Sequence, residues 1–338
     1  MPEKPPSLGL VAKLSGVSPS TVSRILNNTA KVSDSKRETV LRVIEETGFR
    51  PNLAARSLAG GRAMSIGVLT QYIDSPVYGE AIRGIEEVLA SEGYTALFVS
   101  GRGDRELELE RLSMLMERQI DGLIVLSSTL EDKELESIAS GLPVVLMGRA
   151  ALNQKVTSIG FDNLGGGALA LGHLAELGHE VIAVIDRPDD PQAKLRMDGI
   201  RTECGRRGID LNPDLIEVGD FSEPGGYRAM VRLLDKTTDF SAVIALNDQM
   251  AYGAMLALSE SGLRIPEDIS LVGFDDLPHS AYTVPPLTTI SQPVNRIGAM
   301  AASTVLAMGA GFSQYVDQPV AASIVVRKST GFPRNATG

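Results

Sequence analysis

From residue 62 onward, short apolar runs alternate with amphipathic stretches, and the alternation occurs as two consecutive series. The first series reads as a strand at 65–70, a helix at 77–92, a strand at 95–100, a helix at 104–118, a strand at 122–126, a further helix and a strand at 143–148. The second begins near Asn163, with a helix to 177, then strands at 181–185, 215–218, 242–245 and 270–274, separated by helices ending near 205, 234 and 261. Such alternation yields parallel sheets covered by helices on both faces. Two series predict an α/β body of two doubly wound lobes, with ligands bound at the carboxyl ends of the strands. The 338 residues suffice for two or three domains at about 100–200 residues each.

Composition removes several classes of function. No apolar stretch reaches the roughly 18 residues of a membrane span, and the first twenty residues hold no continuous apolar block of the signal-peptide kind. A single cysteine, Cys204, cannot form an internal disulfide, so a reducing, cytoplasmic setting is expected. His173, His179 and His279 are the chain's three histidines, and the first two are six apart, outside the usual zinc-ligand spacing. Neither a metal nor a cofactor is expected. The Gly165-Gly166-Gly167 run has neither dinucleotide spacing nor the Lys-Ser/Thr of a phosphate loop.

Charge is unevenly distributed. Residues 1–61 hold nine Lys/Arg against five Asp/Glu, whereas the remainder holds 23 basic and 37 acidic residues. A basic head on an acidic body suggests a local polyanion contact. Within the head, Ser7 can cap a helix at 8–15 whose apolar face comes from Leu8, Val11, Ala12 and Leu14. Gly16-Val17-Ser18 forms a turn, and Ser18 with Pro19 opens a second helix that turns Val22, Ile25 and Leu26 inward. Ser20, Thr21, Ser23 and Arg24 face out. A third helix starts at Ser33 or Asp34 and runs to about 47, with Val40, Leu41, Val43 and Ile44 apolar. A helix entering a groove about 12 Å wide needs small or hydrogen-bonding outward side chains, as here. A three-helix bundle with an ordinary polar surface would produce the same pattern.

The runs GVSPSTVSRILNN and VSDSKRETVLRVIEETGFRPNLAARSLAGG resemble the lactose-repressor (LacI/GalR) family of bacterial transcription regulators. Ala12, Gly16-Val17-Ser18, Thr21-Val22-Ser23-Arg24, Asn27, Val32-Ser33, Arg37, Gly48-Phe49, Pro51-Asn52 and Ala55 carry the likeness, which continues into the body. Gly9-Leu10 departs from it, and altered capping or solvation of the first helix is expected there. The resemblance implies a helix-turn-helix head at 1–50, a hinge helix and linker at 51–61, and a periplasmic-binding-protein-like core at 62–338. Its first lobe would span about 62–162 and 291–318, its second about 163–290 and 319–332. It also implies that Pro19, Ser20 and Arg24 read major-groove base edges. Ser7, Ser18, Ser23, Asn27, Lys31, Ser33 and Asn52 would touch or support the backbone contacts. Ala55 and Leu58 would enter the minor groove, where an apolar wedge can unstack bases and kink the duplex.

In the body, Tyr72, Asp74 and Arg149 fall just past strand ends, where ligands bind, and the resemblance implies effector contacts from Arg196, Phe221, Asn247, Asp275 and Gln292. Carboxylates and a guanidinium suit vicinal hydroxyls, and an aromatic face suits the C–H surface of a sugar. A direct Arg196–Asp275 salt bridge is the alternative for that pair, and Asp248 reads as a helix cap. Position 148 is Gly where several sugar-binding relatives carry Asp, and Arg149 beside it leaves acidic or phosphorylated sugars open. The expected function is operator binding, most simply repression, under control of a small effector, which the family resemblance implies is a carbohydrate. A homodimer on a palindromic site is implied, with the stretch 66–71 and the first body helix as its apolar interface. A solute-binding protein without operator binding shares the architecture, whereas no arrangement of catalytic residues supports an enzyme.

Overall fold

A computed structural model of the protein describes residues 6–26, 32–49, 62–148, 156–312 and 319–334. The chain divides into two compact units, Met1–Ala63 and Met64–Gly338.

The first unit contains α1 (Leu8–Ser15), α2 (Pro19–Leu26) and α3 (Asp34–Thr47). Ser7 caps α1 by accepting from the Leu10 N–H, and Gly16 ends it in the left-handed conformation at φ +66°. Val11, Ala12, Val22, Ile25, Val40, Val43 and Phe49 form the core. Leu14 and Leu41, expected to be apolar-face residues, are instead exposed. Helical geometry explains both cases. At about 100° per residue, Leu14 lies roughly 110° from the centre of the face carrying Val11, Ala12 and Leu8, and Leu41 is similarly displaced from Val40, Val43 and Ile44.

The second unit holds two sheets. The first has the order β2-β1-β3-β4-β5, built from β1 (Ser65–Thr70), β2 (Thr95–Ser100), β3 (Gly122–Val125), β4 (Val144–Met147) and β5 (Thr157–Ile159). All of its pairings are parallel. The pleat sends alternate residues to opposite faces. Ile66, Val68, Ile124, Val145 and Met147 pack with α4 (Pro76–Ser91) and α11 (Val294–Gly309). Leu69, Leu123, Val125, Val144 and Leu146 pack with α5 (Arg105–Glu117) and α6 (Asp132–Ala139). Because β1 lies between β2 and β3, Ile66, Val68, Leu69 and Thr70 are buried. Of the interface expected at 66–71, residues 66–70 are therefore not a surface of this unit, and Gln71 is half-buried.

The second sheet has the order β11-β10-β9-β8-β6-β7, from β6 (Ile182–Asp186), β7 (Ile216–Val218), β8 (Ala242–Ala245), β9 (Ser270–Asp275), β10 (Thr288–Ser291) and β11 (Ser323–Val325). Its helices are α7 (Asn163–Glu176), α8 (Pro191–Arg207), α9 (Glu223–Lys236) and α10 (Asp248–Glu260). The sheet is parallel except at its edge, where β11 runs antiparallel to β10. This departs from the wholly parallel sheet expected. The cause is a third crossing of the chain: after β10 it leaves to form α11 against the first sheet and then returns. Phe161 and Val320 form a parallel bridge where two of the crossings run side by side.

Helices α7 and α8 approach through reciprocal glycines. A Cβ at Gly167 would overlap the Arg196 carbonyl, and one at Gly199 would overlap that of Leu164. Gly84 and Gly298 play the same part between α4 and α11. Hence the glycine run at 165–167 serves packing: Gly166 lies against the Phe274 ring, and Gly165 against the Asp162 carboxylate that caps α7.

Candidate functional site

In the head, α2 turns Ser18, Pro19, Ser20 and Arg24 to the surface, with Ser23 half-buried. Ser18 Oγ accepts from the Thr21 N–H at 3.2 Å and lies 2.8 Å from the hydroxyls of Ser20 and Thr21. Its hydroxyl therefore holds the start of the helix. Ser33 stands before α3 without a side-chain capping bond. Asn27, Lys31, Asn52, Ala55 and Leu58 lie outside the described residues, as does Arg149.

In the core, the strand ends gather a buried polar cluster around Arg196, which projects from α8. Its Nη2 donates to Asp275 Oδ1 at 3.1 Å, its Nε to Asn163 Oδ1 at 2.9 Å, and its Nη1 to the Leu246 carbonyl. The guanidinium carbon lies 3.8 Å from the centroid of the Phe274 ring. The direct Arg196–Asp275 ion pair is thus present, with side chains 7% and 4% exposed. Asp275 has φ +108°, a conformation uncommon for a non-glycine residue, and the turn continues at Asp276 with φ +53°. Burial pushes the Asp275 carboxyl up to about 6, against the opposing pull of Arg196.

Asn247, and not Asp248, caps the helix that follows β8. Asn247 is the cap of α10: its Oδ1 accepts from the Met250 N–H at 2.9 Å, and its Nδ2 donates to the Phe221 carbonyl at 3.0 Å. Asp248 does not cap. Its carboxylate accepts from the Leu277 N–H at 2.8 Å and from the hydroxyls of Ser280 and Thr289 at 2.6 and 2.5 Å. Capping requires the residue just outside the helix, and Asp248 is already its first residue. Burial, reinforced by the charge of Asp275, pushes Asp248 up to about 7.

Phe221, at φ +66°, presents its ring to the Arg187 guanidinium, 5.0 Å from the centroid. Gln292 joins through Asn163, donating from Nε2 to its Oδ1 at 3.1 Å. Arg196, Asp275, Asn247, Phe221 and Gln292 are therefore brought together. Tyr72 and Asp74 are exposed and, among the described residues, share no hydrogen bond or ion pair with this cluster.

Four further residues shape the site, and of these Tyr78 and Asp190 were not read from the sequence. Tyr78 on α4 is half-buried, and desolvation pushes its phenol up to about 12, with Ser127 and Arg187 opposing the rise and Asp190 adding to it. Asp190 caps α8 through the Gln192 and Ala193 N–H groups. A Cβ at Gly148 would come within 2.9 Å of Gln192 Nε2 and 3.1 Å of the Phe161 ring, and Gly148 has φ +86°. A side chain there would be strained and would displace Gln192, so glycine is the fitting residue. Asp190 before Pro191 was a legible capping signal. Asn163 was read as the start of the second series, and nothing local marks its partners. Among the described residues no group of three or more His, Cys, Asp or Glu could hold a metal ion, and no helix is long and apolar enough to cross a membrane.

A helix-turn-helix head carried on a core with a buried polar cluster at its strand ends defines a DNA-binding regulator with an effector-binding core. Residues 8–52 match the bacterial regulatory proteins of the lacI family, and residues 171–330 match the periplasmic binding protein-like domain. The HTH-type transcriptional repressor PurR of Haemophilus influenzae is 35% identical over 328 residues, covering 94% of this chain and 97% of that protein. The Lac repressor dimer bound to operator and the anti-inducer ONPF superposes with a TM-score of 0.88 at 31% identity, covering 97% of this chain and all of that one. A complex of the transcriptional regulator CelR with cellobiose matches at a TM-score of 0.72 and 32% identity, over 96% and 99% of the two chains. The protein belongs to the LacI family and, like its members, is a regulator and not an enzyme.

Proposed function

We propose that the protein represses transcription as a homodimer on a palindromic operator, and that a sugar or sugar derivative held between the lobes governs its grip. The observation that carries this reading is the union, in one chain, of an α2 surface bearing Ser20 and Arg24 with a core that buries Arg196 against Asp275 beside an aromatic ring. The limits 1–50, 51–61 and 62–338 for head, hinge and core belong to the same proposal. Support comes from relatives named as repressors, from the operator-bound Lac repressor dimer and from the cellobiose complex of CelR. A LacI family regulator from Enterococcus faecium with bound ribose adds to it.

In this reading Pro19, Ser20 and Arg24 read base edges, while Ser7, Ser18, Ser23, Asn27, Lys31, Ser33 and Asn52 serve the backbone. Ala55 and Leu58 enter the minor groove. Asp275 uses Oδ1 for Arg196, leaving Oδ2 for a ligand hydroxyl, and Phe221 covers a C–H face. Arg196 is engaged by three protein acceptors, so its role is to hold Asp275 and orient the site. Tyr72, Asp74, Arg149, Asn247 and Gln292 complete the effector set. Ligand stabilises one lobe arrangement, and by linkage DNA changes ligand affinity by the same factor. The protein acts in the cytoplasm, where its operator is.

Fluorescence anisotropy on a labelled palindromic pool tests this, with and without a panel of sugars and at two salt concentrations. Tight, salt-dependent binding that a sugar weakens is expected. Binding that appears only with a sugar would make the ligand a co-repressor. No preference over random DNA under any condition would refute operator binding and leave a solute-binding protein.

A further inference from the structure

Asn163 opens α7 at the crossing from β5 into the second sheet and is 1% exposed. Its Oδ1 accepts two bonds, from Arg196 Nε and from Gln292 Nε2. An arginine Nε–H and an amide NH₂ can only donate, so the pair fixes which way the Asn163 amide faces. Turning it over would set its NH₂ against both donors. Nδ2 is consequently left buried with no partner. Buried donors are seldom left so, and this one is the cost of keeping Oδ1 on two donors at once.

The two donors come from different places. Arg196 belongs to the buried pair with Asp275. Gln292, 5% exposed, stands on the crossing from β10 to α11. Asn163 Oδ1 therefore ties the guanidinium at the strand ends to two of the segments that join the lobes. Both amides are packed, so neither can follow a movement of Arg196 without its own backbone giving way.

We propose that Asn163 is the positioning residue that passes the state of the Arg196–Asp275 pair to the crossings between the lobes. This rests on reading that pair as the effector site. A ligand that draws on Asp275 changes its hold on Nη2. The planar guanidinium is rigid, so a turn that shifts Nη2 also shifts Nε and, through Asn163, the Gln292 crossing. Coupling of this sort needs a physical link that both ends bias, and a shared acceptor supplies one.

The test uses the full chain carrying spin labels at Glu117→Cys on α5 and Asp235→Cys on α9, with Cys204→Ser, diluted into excess unlabelled chain. Double electron–electron resonance reads the distance between the lobes. Asp275→Asn weakens the hold on Nη2 without any ligand, and it is expected to shift that distance. The shift is expected to be lost in the Asn163→Ala background and restored by Asn163→Asp, whose carboxylate can accept from both donors. Gln292→Leu cuts the second arm and is expected to abolish the shift as well, which keeps the test open should Asn163→Ala fold poorly. A shift that persists through both cuts overturns the proposal, as does the absence of any shift from Asp275→Asn. Neither DNA nor sugar is in the sample. An intact relay beside failed sugar titrations would thus remove only the effector reading, and a failed relay beside successful titrations would remove only the relay.

Discussion

Gly167→Ala should destabilise the core and Gly172→Ala should stabilise it, although both substitutions fall on α7. At Gly167 the new Cβ would overlap the Arg196 carbonyl oxygen and lie 3.1 Å from Arg196 Cα. Carbon–carbon contacts are best at about 3.5–4.0 Å, so α7 and α8 must part by roughly 1 Å. The obstacle is backbone and cannot swing aside. Overpacking of this kind costs about 1–3 kcal/mol, and the better helix propensity of Ala returns about 1 kcal/mol. At the middle of that range the net loss is about 1 kcal/mol, which in a unit of this size lowers Tm by about 2–4 °C. At Gly172 the Cβ meets only Arg207 Nη2 and Glu203 Oε1, each at 3.4 Å and each the far end of a flexible side chain. The propensity gain then dominates, and Tm should rise by about 2–4 °C. Circular dichroism melts at one protein concentration and one pH make the comparison, since self-association would otherwise shift both. Shifts in the same direction would refute the argument that close backbone approach, and not helix preference, decides residue 167.

Burial raises Asp248 to about 7 and Asp275 to about 6, so both bind protons more readily folded than unfolded. Their contribution to stability is complete below about pH 4 and is lost as pH rises through 6 to 7. His173 and His179 are lowered by burial and act oppositely, but only below their ordinary value of 6.5. The urea midpoint should therefore fall between pH 6.5 and 7.5, and an equal fall in Asp248→Asn would contradict the assignment. His179 binds Ser241 Oγ at 2.7 Å and the Gly331 carbonyl at 2.9 Å, so His179→Ala should cost about 2–4 kcal/mol. Hydrogen exchange should quicken at the Gly331 amide, which donates to Ser270. Arg24→Ala should weaken operator binding by about 1–3 kcal/mol and relax preference at one base position, as anisotropy against single-base variants would reveal. Equal losses on every variant would make Arg24 a phosphate contact instead.

What could be read in the chain and what could not are separated by distance along it. Each helix of the head follows from a local signal: Ser7, Ser18 and Ser33 stand at the starts, Gly16 and Gly48 at the ends. The alternation that predicts the two sheets is equally local and holds through β9, except at β5, the short edge strand that it did not mark. It fails at β10, α11 and β11, because there the chain returns to a sheet it had left, and no short-range period encodes a return. The site divides along the same line. Arg196 and Asp275 were recognisable through family likeness, and their pairing was one of two readings that residue type alone allowed. Asn247 and Asp248 are adjacent, and both are good caps. Which of them turns inward is decided by Leu277, Ser280 and Thr289, some 30 to 40 positions away. Asn163 is the extreme case, since its partners lie 33 and 129 positions along the chain. At the start of a helix an asparagine reads as a local device. Only the fold turns it into a junction, because only the fold brings two crossings and one guanidinium to the same oxygen.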